Sequence, residues 1–208
     1  MIVMKFGGTS VGTPRMLERV ADIVESNLNR KPLVVLSAMS GVTDMLIKGT
    51  RFAEKGQRSE YERVHSDIAR KHHDTIKALL GESKELSGEI ERFLDALLNI
   101  WHSIEVLGEV TPRALDAISS FGEKMLVRIF SAYLNKRGTK AKFFDADTFI
   151  VTTGNFGNAT PIYDESKREF ERVVAPALSE GFTPIITGFI GKTKDGICLL
   201  YTSPSPRD

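Results

Sequence analysis

The fold class is decided by residues 33–41, which read Leu33-Val34-Val35-Leu36-Ser37-Ala38-Met39-Ser40-Gly41. Four apolar residues in a row, without alternation, are typical of a strand whose sheet is covered by helices on both faces. The small and hydroxyl-bearing residues that follow indicate a loop, and the apolar spacing of residues 42–53 predicts a helix. A buried strand, a short loop and a helix in this order favour a parallel α/β sheet.

The residues before this stretch repeat the pattern. Ile2–Phe6 is a short β-rich run that stops at Gly7-Gly8. A helix is predicted after Pro14, where the missing N–H of proline costs no helical hydrogen bond. Two successive strand–loop–helix units, with no internal repeat or linker in the chain, predict a layered α/β domain.

The rest of the chain is predicted to add further helices and strands. The expected elements are a pair of helices within 60–107, a helix over 113–136 that ends at Gly138, strands at 142–144 and 149–151, a helix from 164 or 165 to 179, a strand at Thr183–Thr187 and a hairpin turn at Asp195-Gly196.

Composition and charge narrow the functional class. Hydrophobic residues make up 41% of the 208, which is ordinary for a globular protein and argues against a disordered chain. The 28 basic and 27 acidic residues form no block of like charge, so neither nucleic acid nor a membrane surface is an expected partner. The single cysteine, Cys198, excludes a disulfide framework, and no signal peptide or membrane span is visible. We therefore predict a cytoplasmic protein.

The first candidate site is the run Lys5-Phe6-Gly7-Gly8-Thr9-Ser10. Two glycines at a strand end let the backbone approach a ligand closely, and successive N–H groups with the Thr9 and Ser10 hydroxyls can cradle an anion. Lys5 adds a positive charge at the same strand end. The spacing is neither that of the P-loop nor that of the G-x-G-x-x-G motif. Phosphate binding and an ordinary tight turn with a solvent-exposed lysine both stay open from these residues.

The second candidate is the hydroxyl-rich loop from Ser37 to Asp44. In open parallel sheets, ligands bind at the carboxyl ends of the strands, so the loops after two successive strands predict a shared crevice. A helix N-cap at Ser40 is the alternative interpretation of the same residues.

The third candidate is the pair Gly122 and Glu123, in the helix predicted over 113–136. Gly122 lies on the buried stripe, where glycine costs about 1 kcal/mol relative to alanine, so close packing or the approach of a ligand would explain it. Glu123 follows about 100° further round the helix, at the flank of the stripe. Periodicity alone favours a solvent-exposed glutamate there.

Metal and hydrolase sites find little support. His72 and His73 point to different sides of a helix, while His65 and His102 lack neighbours at ligand spacing. The G-x-S-x-G motif of many hydrolases is absent from the sequence. We therefore assign no metal-ligating residue.

Taken together, these motifs resemble those of the aspartate kinases of the amino-acid kinase family. The order and spacing agree over roughly residues 2–196. The matching segments are residues 5–11, residues 34–44, Ser120-Phe121-Gly122-Glu123, Phe156-Gly157-Asn158-Ala159 and Thr187-Gly188-Phe189-Ile190-Gly191.

The resemblance implies a fold and a reaction. The fold is α/β, a three-layer αβα sandwich with a mainly parallel sheet, of the carbamate kinase-like type. The reaction is transfer of the γ-phosphoryl group of ATP to the β-carboxylate of L-aspartate, on the way to lysine, threonine and methionine. The resemblance also implies ATP with Mg²⁺ carried by the nucleotide, and a homo-oligomer when the protein is full length.

The resemblance also assigns roles to residues. It implies that Lys5 neutralises charge on the transferring phosphate and that Thr43 and Glu123 contact aspartate, with Glu123 facing the α-ammonium. It thereby turns Glu123 from a solvent-exposed residue into a ligand-binding one. The residues that it implies for binding the nucleotide phosphates are Lys5, Gly7, Gly8, Thr9, Ser10 and Ser37.

The resemblance stops at about residue 197. Residues 197–208 do not match the family's glycine-rich loop, and the arginine for the substrate α-carboxylate and the adenine pocket have no counterpart in them. We therefore predict that residues 1–196 are the N-terminal part of a catalytic domain, truncated and followed by a non-matching tail. The chain is then expected to be an incomplete, inactive fragment, with Thr183–Thr187 near an incompletely covered sheet. The alternatives are another amino-acid kinase, or a non-catalytic phosphate- or nucleotide-binding module.

Overall fold

A four-stranded parallel sheet forms the centre of the computed structural model, which describes residues 1–201. The predicted parallel α/β sheet is confirmed. The strands, in the spatial order β1-β2-β4-β3, are β1 (Ile2–Phe6), β2 (Pro32–Leu36), β3 (Ala141–Phe144) and β4 (Thr183–Thr187).

The helices lie in the regions of the chain where helices are predicted. They are α1 (Pro14–Glu25), α2 (Val42–Glu54), α3 (Arg58–Leu80), α4 (Lys84–Leu107), α5 (Pro112–Lys136), α6 (Tyr163–Val173) and α7 (Ala175–Ser179). The single helix predicted up to residue 179 is wrong, because Pro176 lacks an N–H and its ring would clash with the carbonyl of Arg172, so the helix breaks at Val174. In the part of the chain that the structure describes, no helix is long and apolar enough to cross a membrane.

A hairpin follows the sheet. Strands β5 (Ile190–Lys192) and β6 (Cys198–Leu200) pair antiparallel, and the N–H of Gly196 donates to the carbonyl of Thr193 at 2.9 Å. The turn predicted at Asp195-Gly196 is confirmed.

The strand predicted at 149–151 is wrong. A short 3₁₀ turn at Ala146–Thr148 leads into an extended segment with isolated bridges at Val151 and Thr152. An apolar run of three residues does not distinguish a strand from a buried extended loop, because it is too short to show a period.

The two faces of the sheet bury two separate cores. On one face, Val34 and Leu36 pack with residues of α1–α5 in the larger core. On the other face, Leu33 and Ile186 pack with α6 and α7. Successive residues of a strand point to opposite faces, so the continuous apolar run of β2 serves both cores. The predicted three-layer αβα arrangement is confirmed.

The expectation that Thr183–Thr187 lies near an incompletely covered sheet is wrong. All five residues of this strand, β4, are buried, and it lies between β2 and β3. Among the described residues, β1 and β3 are the edges of the sheet. Val3 of β1 is 61% exposed, so the thinly covered part of the sheet is at its N-terminal strand.

Helix α5 packs against the loop after β2 so closely that only glycine fits at residue 122. A Cβ there would lie 2.7 Å from the Cβ of Ala38 and 3.2 Å from Cγ1 of Val42. Real Cβ atoms essentially never show a contact of 2.7 Å, and neither neighbour is the far end of a flexible side chain. The close packing predicted from the mid-helix glycine is confirmed.

This contact gives opposite expectations for two glycines in helices. Gly122→Ala should destabilise the protein by about 1–3 kcal/mol through overpacking, despite a gain of about 1 kcal/mol in helix propensity. Gly88→Ala in α4, where an added Cβ meets nothing within 4 Å, should stabilise it by about 0.5–1 kcal/mol. Urea unfolding of both variants measures the difference, and a stabilised Gly122→Ala would contradict the packing described.

Candidate active site

The carboxyl ends of β1 and β2 open into a cleft of about 480 Å³. It lies where parallel α/β sheets bind ligands, between the loops that follow two neighbouring strands. The residues that line it include Gly8, Thr9, Ser37, Thr43, Ser119 and Glu123. The crevice predicted between the two loops is therefore present.

The loop after β1 forms one 3₁₀ turn over Gly8–Ser10, in which the N–H of Ser10 donates to the carbonyl of Gly7 at 2.8 Å. At Gly8 an added Cβ would lie 3.1 Å from the carbonyl oxygen of Ala38, so this glycine lets the two loops touch. At Gly7 an added Cβ would meet nothing within 4 Å, and this residue is exposed. The backbone of the first loop therefore stays accessible at Gly7.

The predicted phosphate-binding residues do not all face the cleft. Lys5 lies at the end of β1, with its ammonium 4.7 Å from the ring centre of Phe189, a residue that lines the cleft. Thr9 lines the cleft, but Ser10 lies with Thr9 in a neighbouring groove on the α1 side, next to Met16. The structure therefore brings Gly8, Thr9 and Ser37 together and places Ser10 to one side.

The loop after β2 ends in a glycine cap. The N-cap of α2 is Gly41, with φ +80°, and no side chain caps this helix. The N-cap interpretation of Ser40 is therefore wrong, because the chain uses the left-handed conformation of Gly41 to enter the helix. The first turn of α2 then lines the cleft with the half-buried Thr43 and the exposed Asp44.

Glu123 is the most unusual residue of the cleft. It is only 6% exposed, and its Oε1 accepts the backbone N–H of Ala38 at 3.1 Å. Its Oε2 is buried and has no hydrogen-bond partner among the described residues. Burial raises the pKa of Glu123 from 4.5 to about 7, and the N–H of Ala38 offsets only part of this effect.

The solvent-exposed interpretation of Glu123 is wrong for a physical reason. The middle of α5 is enclosed on nearly every side, so the flank of its apolar stripe meets the loop after β2 and not water. Buried polar atoms are rarely left without a partner. Because Glu123 lines the cleft, its unpartnered Oε2 marks a place where a hydrogen-bond donor would bind.

Other charged side chains of α5 have protein partners. Lys124 donates to Asp147 Oδ2 at 2.6 Å, and Arg128 makes two hydrogen bonds of 2.8 Å to Asp145. These pairs hold α5 against the segment after β3. In contrast to Oε2 of Glu123, these charged groups are paired within the protein.

Several residues of the cleft were not predicted from sequence. Ser119 and Phe189 line it. Both lie in or beside segments that match the aspartate kinases, so the sequence indicated their positions but not their roles. Tyr201 also lines it, from a part of the chain without any signal.

A second cavity, of about 520 Å³, lies beside α6 and β5. Most of its charged side chains are paired with other protein groups. Lys194 pairs with Glu165 at 2.6 Å, and Lys192 donates to the carbonyl of Thr148 at 2.8 Å. Neither of the two buried side-chain atoms without a partner in the described chain, Oε2 of Glu123 and Nε2 of His72, belongs to it. The cleft at β1 and β2 is therefore the better candidate.

The histidines have structural surroundings. His72 is fully buried, its Nδ1 lies 2.7 Å from the carbonyl of Ile68, and burial lowers its pKa to about 4. His73 lies 2.6 Å from Glu91. Over residues 1–201, no group of three or more His, Cys, Asp or Glu side chains is placed to hold a metal ion.

Comparison with known proteins places the chain in a family. A model of the amino acid kinase family matches residues 1–203. The chain belongs to the amino acid kinase family. Among its relatives are the chloroplastic aspartokinase 2 of Arabidopsis thaliana, 35% identical over 193 residues, and the lysine-sensitive aspartokinase 3 of Escherichia coli, 34% identical over 201 residues.

Solved structures of aspartokinases have the same fold as this chain. Escherichia coli aspartokinase III with lysine and aspartate superposes with a TM-score of 0.89 at 30% identity, over 98% of this chain and 44% of that one. The same enzyme with aspartate and ADP gives 0.87 at 31%, over 96% and 43%. The alignment with the Arabidopsis protein spans 91% of this chain but only 35% of that protein. The alignment with the E. coli protein spans 94% of this chain and 42% of that protein.

The domain boundary predicted at residue 196 stays a prediction. The family match extends to residue 203, and β6 (Cys198–Leu200) pairs with β5 and buries Leu199. Most of the predicted tail, residues 202–208, lies outside the described residues.

The burial of Glu123 predicts a stability effect that depends on pH. Its pKa is higher in the folded than in the unfolded state, so the folded protein binds the extra proton and loses stability as pH rises from 4.5 to about 7. Glu123→Gln removes this dependence and should therefore be more stable than the wild type at pH 8, by up to about 3 kcal/mol. Urea unfolding at pH 8 and at pH 4.5 measures it.

The control is Glu171→Gln, at an exposed position of α6. A surface substitution of this kind should change the unfolding free energy by less than about 0.5 kcal/mol at either pH. A Glu123→Gln protein that is no more stable than the wild type at pH 8 would show that Glu123 is not held in the desolvated state described.

Proposed function

We propose that the protein of which this chain forms part transfers the γ-phosphoryl group of ATP to the β-carboxylate of L-aspartate, and that the cleft at β1 and β2 binds both reactants. Family membership and the aspartokinase relatives support the reaction class. Structures of a relative described with aspartate and with ADP support the choice of ligands. The single observation in this chain that carries the proposal is the orphan carboxylate oxygen of Glu123.

Glu123 is suited to bind the α-ammonium of an amino acid. Its Oε1 is held by the N–H of Ala38, so the carboxylate has a fixed position and its Oε2 is left for a ligand. Hydrogen bonds between ionised partners are stronger than neutral ones, and they gain further strength away from water. An ammonium group on Oε2 would stabilise the ionised form that burial disfavours. The hydroxyl of Thr43 lines the same cleft and is proposed to contact the substrate too.

The first loop is suited to bind phosphate. The backbone at Gly7 is open, Gly8 brings the Ser37 loop into contact, and the hydroxyls of Thr9 and Ser37 line the cleft. We assign to Lys5 the neutralisation of charge on the transferring phosphate, and to Ser10 a supporting place beside the loop. Phosphoryl transfer depends mostly on positioning and on charge stabilisation, so such groups suffice without a protein nucleophile.

ATP would supply the phosphoryl group. We propose that Mg²⁺ enters on the nucleotide phosphates, and we assign it no ligand from the described residues. The wider setting is also part of the proposal: amino-acid biosynthesis leading to lysine, threonine and methionine, a homo-oligomeric full-length protein and a cytoplasmic location. The Arabidopsis relatives are chloroplastic by name.

Binding of L-aspartate and of succinate, which lacks the amino group, tests the role of Glu123 directly. Calorimetry on the purified chain at pH 8 should show at least tenfold tighter binding of L-aspartate, because a charge-assisted hydrogen bond contributes about 1.5–3 kcal/mol. Glu123→Gln should remove this preference and leave succinate binding within about threefold.

Asp44→Asn is the matched control, because Asp44 is an exposed carboxylate of the same cleft. Water screens an exposed charge, so this variant should keep the preference for L-aspartate. Loss of the preference in Asp44→Asn, or its survival in Glu123→Gln, would remove the observation on which the proposal rests.

A further inference from the structure

Phe189 has a backbone conformation that its side chain disfavours. Its φ is +58°, in the left-handed region, where bulky residues are outliers. Over residues 1–201, Lys31 is the one other non-glycine residue with a positive φ, and it lies in a surface turn before β2. Strained residues of this kind persist where their surroundings hold them, and they concentrate at functional sites.

Backbone hydrogen bonds on both sides hold Phe189 in place. The N–H of Gly188 donates to the carbonyl of Leu36 at 2.8 Å, and the carbonyl of Phe189 accepts the N–H of Tyr201 at 2.9 Å. Gly188 and Phe189 are the two residues that connect β4 to β5. A glycine would make the same turn without strain. The turn therefore does not explain why a phenylalanine is present.

The ring of Phe189 has a specific neighbour. It lines the cleft of Glu123, and the ammonium of Lys5 lies 4.7 Å from its centre. This distance is within the range at which a cation is attracted to an aromatic face. The left-handed conformation therefore brings an aromatic face to the lysine at the end of β1, from the opposite side of β2 in the order β1-β2-β4.

We propose that Phe189 is a positioning residue that holds the ammonium of Lys5 beside the first loop, ready for a phosphate group. The inference rests on the proposed function, because that function supplies the phosphate group that Lys5 would bind. Lysine has a flexible stem, and ordering it on binding costs affinity, so a lysine that is already held binds an anion more tightly. The ring also displaces water from one side of the ammonium, which strengthens its attraction to an anion.

Inorganic tripolyphosphate is a suitable probe, and its affinity for the purified chain is measured by calorimetry at low salt. Phe189→Leu keeps an apolar side chain but removes the aromatic face, and it should weaken binding about fivefold, the equivalent of about 1 kcal/mol. Phe189→Trp restores an aromatic face and should recover wild-type affinity to within about twofold. In Lys5→Met, the further change Phe189→Leu should have no added effect, because the group that the ring positions is gone.

A second readout follows the geometry itself. The ring current of Phe189 should shift the ε-CH₂ protons of Lys5 upfield in the NMR spectrum, and Phe189→Leu should return them to ordinary values. Lys31→Gly, which relieves the other strained residue away from the cleft, is the matched control. It should leave both the Lys5 signals and the tripolyphosphate affinity unchanged.

The outcomes separate the two proposals. If Lys5→Met leaves tripolyphosphate binding unchanged, the proposed phosphate site fails. If Lys5→Met weakens binding but Phe189→Leu does not, the phosphate site stands and the positioning role of Phe189 is refuted. That role is equally refuted if Lys5 and Phe189 contribute additively in the double variant, or if Phe189→Leu leaves the Lys5 protons where they are.

Discussion

The structure depends on the contact between helix α5 and the loop after β2. Gly122 has no side chain, so the helix comes within direct contact of Ala38 and Val42. At that separation the carboxylate of the next residue, Glu123, reaches the backbone N–H of Ala38. One missing Cβ therefore sets both the distance between two layers of the fold and the position of the charged group in the cleft.

The same contact has an energetic consequence. A glycine inside a helix and a carboxylate inside a protein are each unfavourable for stability, and the chain has them side by side. Burial raises the pKa of Glu123 to about 7, so near neutral pH its ionised form is held against a desolvation cost. A cationic ligand group would offset that cost. The arrangement is poor for a protein that only has to fold and suitable for one that must bind an ammonium group.

Much of the fold was predictable because its signals are local. A few neighbouring residues are enough to recognise each of these signals: the continuous apolar run of β2, the prolines that begin α1 and α5, and the glycines after the helices. The extended segment at 149–151 and the break at Val174 were not predicted correctly, since the first gives no period and the second depends on where one proline falls. That β4 is an interior strand was also missed, because strand order is set by pairing between distant parts of the chain.

The residues of the candidate site also fall into those that could be predicted from sequence and those that could not. Gly8 and Ser37 follow strand ends, and these two residues and Thr43 lie in segments that the pattern singled out, whereas periodicity alone placed Glu123 in solvent. Helical periodicity assumes one buried face, but α5 is enclosed on almost all sides, so its flank is not a surface. Resemblance to a family identified Glu123, and only the structure shows why this residue is available to a ligand. The role of Phe189 depends on a backbone angle and a distance across the sheet, which no local pattern reports.

The most direct test of this account is the pKa of the Glu123 side chain, followed by ¹³C NMR in the presence and absence of L-aspartate. In the free protein the carboxyl signal should titrate with a pKa of about 7, because the group is buried with one oxygen unpartnered. With L-aspartate bound, the pKa should fall back toward the ordinary value of 4.5, because a cation beside the carboxylate favours its ionised form. A pKa that is ordinary in the free protein, or one that L-aspartate leaves unchanged, would contradict the account.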